Sequence, residues 1–291
     1  MFDMSEVKML PKNRKQGLTL PKEPSEDLAY FCGLLAGDGS IGIRLKKNDY
    51  YVRLDGNPAD EKELYHIVVV PLVKKLFNLD VQPRTAQRTY GIRIGSKALI
   101  VYLTDVLGLP KNRKYNQLKI PGWVKENKQL VISYIRGLAD TDFCLSLKKR
   151  YKSAPYYPVV SGSSESKKFM EEIATELELL GLKVSRHYDV FQADERVPKG
   201  HTITHRVHIY GHSQLIKWMQ IIGFSSPKHL NKFNLWRERN VNSKRHKTIS
   251  AIVESNKKDL ATRARPEHIA RGGFEYGNKA TKPLFPPISR L

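Results

Sequence analysis

Apolar and polar residues alternate over "GSIGIRLKK", with Ile41, Ile43 and Leu45 on one side and Gly42, Arg44 and Lys46 on the other. That is the pattern of a half-buried antiparallel strand. "YYVRL" offers a strand to pair back, "DEKELYHIVVVPLVKKLF" has helical spacing, and "LDVQPRT" with "RTYGIRIG" reads as a second hairpin. "SKALIVYLTDVLG" predicts a last helix, begun by the capping hydroxyl of Ser96 and ended by Gly108. Ahead of all of these, "YFCGLLAGDGSIGIR" opens as a buried helix of small and apolar residues.

The same order then recurs. "YFCGLLAGDGSIGI" lines up with "YIRGLADTDFCLSL", setting Tyr30 on Tyr134, Gly33 on Gly137, Leu34 on Leu138, Asp38 on Asp142 and Ile41 on Leu145. "YYVRLDGN" matches "YYPVVSGS", and "IRIGSKALIVYLTDVLG" matches "VHIYGHSQLIKWMQIIG". Insertions around "RYKSAP" and "QADERVPKGH" fall where loops are expected. The closing stretches "GLPKNRKYNQLKIPGW" and "GFSSPKHLNKFNLW" are also alike. The predicted fold is therefore α+β, two tandem αββαββα repeats with helices on one face of each antiparallel sheet. Residues 25–124 form the first repeat and 125–239 the second, between a polar N-terminal leader, 1–24, and a basic C-terminal extension, 240–291.

Charge changes the picture of the sheets' other face. Fifty Lys and Arg oppose 29 Asp and Glu, a formal net charge of +21, so the surface attracts polyanions. Outward positions are Arg44, Lys46, Arg53, Arg84 and Arg93 in the first copy, and Ser146, Lys148, Lys183, Arg206 and His208 in the second. Two such ribbons suit adjacent stretches of DNA major groove. No apolar run is long enough to span a bilayer, and the N-terminus lacks a signal peptide's apolar core. Cys32 and Cys144 offer neither a disulfide framework nor metal spacing. The expectation is a protein of a prokaryotic cytoplasm or an organelle matrix, neither secreted nor membrane-bound.

Chemistry concentrates at the two motif helices. Gly33 and Gly37, matched by Gly137 and Thr141, are small residues four apart, so each helix offers a face where two backbones can come close. Asp38 and Asp142 follow that seam by one position. A carboxylate at a helix C-terminus opposes the macrodipole, and two together repel. A divalent cation relieves both effects, and carboxylates with helix-end carbonyls are the hard oxygen ligands that suit Mg²⁺. Paired acids, metal and a basic DNA-facing sheet describe metal-assisted phosphodiester hydrolysis. The histidines of "HTITHRVHIYGH" do not form a zinc site, since His205 and His208 point to opposite sides of a strand and no cysteine assists.

These paired stretches resemble the signature helices of the LAGLIDADG homing endonucleases in their single-chain form, over roughly Glu26 to Arg239. The resemblance implies signature helices at the repeat interface and sheets forming a saddle over double-stranded DNA. By position it makes Asp38 and Asp142 the catalytic metal-binding acids, with the carbonyls of Gly37 and Thr141 as further ligands. Mg²⁺ is the implied cofactor, with Mn²⁺ substituting. After the second strand of each copy, Asn57 and Ser163 hold the family's supporting polar position, and Lys167, whose counterpart is Glu61, holds a basic catalytic one. The implied activity is site-specific cleavage of both strands by an intron-encoded monomer with internal pseudo-twofold symmetry. The alternative is an RNA maturase acting on intron RNA, or a cleavage-inactive nucleic-acid-binding relative. One departure keeps it open: the family has Gly after the acid, as at Gly39, but the second copy has Phe143. Either Phe143 is strained in a left-handed turn, or its helix ends differently and the ring joins the core.

Overall fold

A computed structural model describes residues 1–241, except 45, 47–48, 113–116, 150–155, 195–196 and 199. The first repeat runs α1 (Glu26–Gly37), β1 (Gly39–Arg44), β2 (Asp49–Gly56), α2 (62–77), β3 (Arg84–Ala86), β4 (Thr89–Ile94) and α3 (97–106). The second runs α4 (Lys128–Asp142), β5 (Phe143–Lys148), β6 (Tyr157–Ser164), α5 (Lys167–Leu179), β7 (Ser185–Ala193), β8 (His201–Tyr210), α6 (His212–Ile221) and α7 (Pro227–Val241). Single helical turns at Pro11–Lys15 and Gly122–Lys125 lie outside this count. Each repeat holds one four-stranded antiparallel sheet, ordered β1-β2-β4-β3 and β5-β6-β8-β7. The fold is α+β, with the predicted αββαββα order in both copies.

Local chemistry explains most boundaries. Ser25 caps α1 by accepting from Leu28 N–H at 3.2 Å, with Glu26 and Asp27 in the positive first turn. Asn127 caps α4 through Gln129 N–H at 2.8 Å. Ser96 caps α3, and Gly108 follows it in the left-handed conformation, φ 76°. In α2 the backbone widens to i→i+5 spacing over Tyr65–Val69, just before Pro71. Proline has no N–H, and its ring crowds the carbonyl four residues back, so a wider turn accommodates it inside the helix.

Three expectations are corrected. β3 starts only at Arg84, because Pro83 cannot donate to a ladder. β1 stops at Arg44, leaving Lys46 exposed in the connection rather than on the strand. Lys183 likewise precedes β7, its N–H donated to Gln214 Oε1 at 2.8 Å. The 24-residue leader, moreover, packs on the first repeat. Leu18 and Asn13 are buried, Phe2 meets Tyr102 and Trp123 edge-on, and Thr19 N–H bonds the Phe77 carbonyl at 3.0 Å. The extension after Val241 and the "RYKSAP" insertion lie outside the described residues. Among those described, no helix is long and apolar enough to cross a membrane.

Candidate active centre at the ends of the motif helices

The helices α1 and α4 are buried almost throughout and pack against each other as the principal contact between the repeats. Their seam is symmetric. A methyl group on Gly33 would collide with the Tyr134 carbonyl, and one on Gly137 would collide with the Tyr30 carbonyl. A methyl on Gly37 would run into Thr141 Oγ1 and stand 3.3 Å from Asp142 Cγ. The Asp142 carboxyl therefore lies against the last residue of α1, beside the position of Asp38, the C-cap of that helix. Packing brings both acids to one end of the seam, where the carbonyls of Gly37 and Thr141 also end their helices.

Around Asp38 the first repeat gathers further acids. Burial pushes the Tyr65 hydroxyl's pKa far up, and the charges of Asp38, Glu61 and Asp55 add to the shift, so these carboxylates converge on one phenol. Glu61 is buried and accepts Asn57 N–H at 2.6 Å. Its other oxygen takes Lys228 Nζ at 2.9 Å, and Asp60 takes the same ammonium at 3.1 Å. Lys228 belongs to α7, at the far end of the second repeat. Burial works against its charge, but the hydrogen bonds and charges of Glu61 and Asp60 outweigh burial and raise its pKa.

The other predicted supporting residues lie less centrally. Asn57 uses its side-chain oxygen on Ala59 N–H at 2.9 Å, a turn-forming bond. Ser163 is exposed on β6 opposite Arg206. Lys167 opens α5 with its ammonium 2.8 Å from Asp189 Oδ2 and above the Tyr188 ring. The basic position beside the acids of the first repeat is thus held by Lys228, which the sequence reading did not single out. Its only signal was the basic closing stretch that both copies share.

Phe143 continues from α4 with φ −99° and ψ 159°, ordinary extended backbone, and enters β5 directly. Its ring is buried, stacked on Trp218 at 5.8 Å and seated over Gly162. No left-handed turn is needed there. Gly39 is required for a different reason: a methyl on it would strike the backbone of Leu35.

On the outer sheet face, register sets Arg53 beside Arg93 and Arg44 beside Asp49, and Arg84 opposite Gly91. This face carries acids as well as bases. Asp55 bonds Arg53 at 2.9 Å, Asp49 pairs with Arg93, and the Arg44 and Arg93 guanidinium groups both lie over the Tyr51 ring, at 5.2 and 5.1 Å. In the second sheet Lys148 ends β5, exposed, and Arg206 donates to Gln192 Oε1 at 2.6 Å. His208 is on the face but is not cationic near neutrality. Burial first, then the charges of His187, Lys148 and Arg206, lowers its pKa to about 4. His205 is buried on the opposite side of the strand, as expected.

Two carboxylates with helix-terminal carbonyls are a hard-oxygen donor set that fits a divalent cation completed by ligands from outside the protein. Among the described residues no group of three or more His, Cys, Asp or Glu side chains could hold a metal by itself.

No protein-family model matches the chain. A relative among curated proteins is an uncharacterized protein of Methanocaldococcus jannaschii, 24% identical over 185 residues, covering 62% of this chain. The match spans 63% of that protein's length. Among solved structures, the homing endonuclease I-DmoI in complex with DNA and Ca aligns with a TM-score of 0.50 at 20% identity, covering 72% of this chain and 97% of that one. The LAGLIDADG meganuclease I-AabMI bound to uncleaved DNA aligns with a TM-score of 0.44 at 8% identity, covering 82% and 98%. Other structures of I-DmoI with DNA were determined with Mn or Mg. The fold is that of the LAGLIDADG homing endonucleases in their single-chain, two-repeat form.

Proposed function

We propose that this chain is a site-specific DNA endonuclease that works as a monomer with Mg²⁺, or Mn²⁺ in its place, and cuts both strands near its pseudo-twofold axis. One observation carries the reading: the Gly33 and Gly137 seam brings the two helix-end acids, Asp38 and Asp142, to the same point between two sheets. In this reading the two carboxylates and the carbonyls of Gly37 and Thr141 hold the metal. When bound, the cation neutralises charge developing at the scissile phosphates and lowers the pKa of an attacking water. The arginines of the outer face engage DNA phosphates and base edges, exchanging their bonds to Asp49 and Asp55 for bonds to DNA. Lys228, kept protonated by Glu61 and Asp60, supplies a fixed positive charge beside the first acid.

Replacing the acids tests this. Asp38→Asn and Asp142→Asn should each abolish double-strand cleavage of a selected target while DNA binding, measured by gel shift, stays within a few-fold. Full cleavage by either variant in Mg²⁺ would remove the metal-ligand assignment. Tight binding of structured RNA with no metal-dependent nicking of a plasmid library by the unmodified protein would favour the maturase reading.

A further inference from the structure

The near-symmetry of the seam lets each half be read against the other, and one position breaks the match. In one half Tyr30 donates its hydroxyl to Asp140 Oδ2 at 2.6 Å. Asp140 also accepts the N–H groups of Ser225 at 2.9 and 3.0 Å and of Ser226 at 2.8 Å. That carboxylate is fully buried with its oxygens well satisfied. In the other half Tyr30 corresponds to Tyr134, and Asp140 corresponds to Ala36. Tyr134 is 0% exposed, and its hydroxyl is buried without a hydrogen-bond partner. A buried unpaired hydroxyl is costly and is rarely retained without cause.

The two phenols occupy equivalent surroundings. The Tyr30 hydroxyl feels the charge of Arg136, and that of Tyr134 feels Cys32, the counterpart of Arg136 in the repeat. Where the second half holds the Asp140 carboxylate, the first half has a pocket of about 200 Å³. Its lining includes Leu35, Ala36, Ile41, Leu118 and Tyr134, with the exposed Lys119 at its edge. That volume lies below the ~300–1,000 Å³ of sites for drug-sized ligands. The site is apolar on its walls, carries one buried donor, and has one cation at its opening.

We propose that this pocket is a binding site for a small carboxylic acid anion with a short aliphatic chain. The ligand carboxylate takes the place that Asp140 fills in the other half, accepting the Tyr134 hydroxyl. Its chain lies on Leu35, Ile41 and Leu118, and the Lys119 ammonium balances its charge. Because Gly39 and Ser40 also line the pocket, occupancy stiffens the turn that follows Asp38. The assignment stands on the cavity and the unpartnered phenol and does not depend on nuclease activity.

Thermal melts of the whole protein test it, in sodium acetate, propionate or butyrate against sodium chloride of equal ionic strength. The expected result is a Tm that climbs with carboxylate concentration, by about 2–4 °C once the anion is several-fold above its dissociation constant. Tyr134→Phe should fold at least as stably in chloride and lose the response. Ala36→Asp should carry its own carboxylate, melt higher in chloride and be insensitive to added acid. Equal melting in carboxylate and chloride overturns the proposal, as does an undiminished response in Tyr134→Phe. An equal response to the neutral amides of the same acids would mean an apolar pocket without a carboxylate site, and would overturn it too.

Discussion

Phe143 shows how one residue can change role without disturbing the backbone around it. Its counterpart, Gly39, is confined by the Leu35 backbone, whereas Phe143 enters its strand extended and places a ring between Trp218 and Gly162. Losing that ring leaves a cavity, so Phe143→Gly should lower stability by about 3–5 kcal/mol in chemical denaturation. A more stable variant would mean that the native residue is strained. His229 makes a second residue-scale case. It is fully buried, and burial, followed by the charges of Lys228 and Lys232, depresses its pKa to about 4. The unfolded value is near 6.5, so between these values the unfolded chain binds more protons than the folded one. Stability due to this group is therefore present above pH ~6.5 and lost as pH falls through ~4, by about 3 kcal/mol in all. Melting curves across that window should slope downward towards acid, and His229→Leu should flatten the slope.

At the scale of elements, the motif helices meet because their glycines lack side chains where the opposite carbonyls stand. The contact is backbone against backbone, which leaves no side chain able to move aside. Gly33→Ala or Gly137→Ala must push the helices apart along a fully buried seam, at a cost of about 1–3 kcal/mol or more. Urea titration measures that loss, and cleavage should fall further than stability because both helix-end acids shift with the seam. Wild-type stability and activity for both variants would show that the seam is looser than its geometry implies. Outside the seam, the α2 helix absorbs Pro71 by widening one turn, which keeps Tyr65 and Val69 in the core.

At the scale of the whole molecule, the last helix ties the second repeat to the first. Lys228 crosses to Glu61 and Asp60, a pairing between residues 167 positions apart in the case of Glu61. Removing one partner strands the other as a buried charge. Lys228→Met should cost about 3–5 kcal/mol, while Lys228→Met with Glu61→Gln should cost much less than the sum of the single changes. A double-mutant cycle by chemical denaturation reads the difference, and strict additivity would mean that the two groups do not interact.

The repeat, the order of strands and helices, and the two acids were legible in the chain because each rests on local information. Periodicity of two or 3.6, capping residues such as Ser96, and the recurrence of a small-residue helix ending in Asp all act within a few positions. What only the tertiary structure decided depends on which distant groups share a volume. Lys228 reaches the first repeat because α7 packs across it. Asp49 and Asp55 temper an outer face whose composition predicted only basic residues, because strand register sets them beside Arg93 and Arg53. His208 lost its charge to burial and to neighbouring cations, a field that no spacing rule contains. Ala36 and Tyr134 are unremarkable in sequence and become a pocket only when the second half of the seam supplies the comparison.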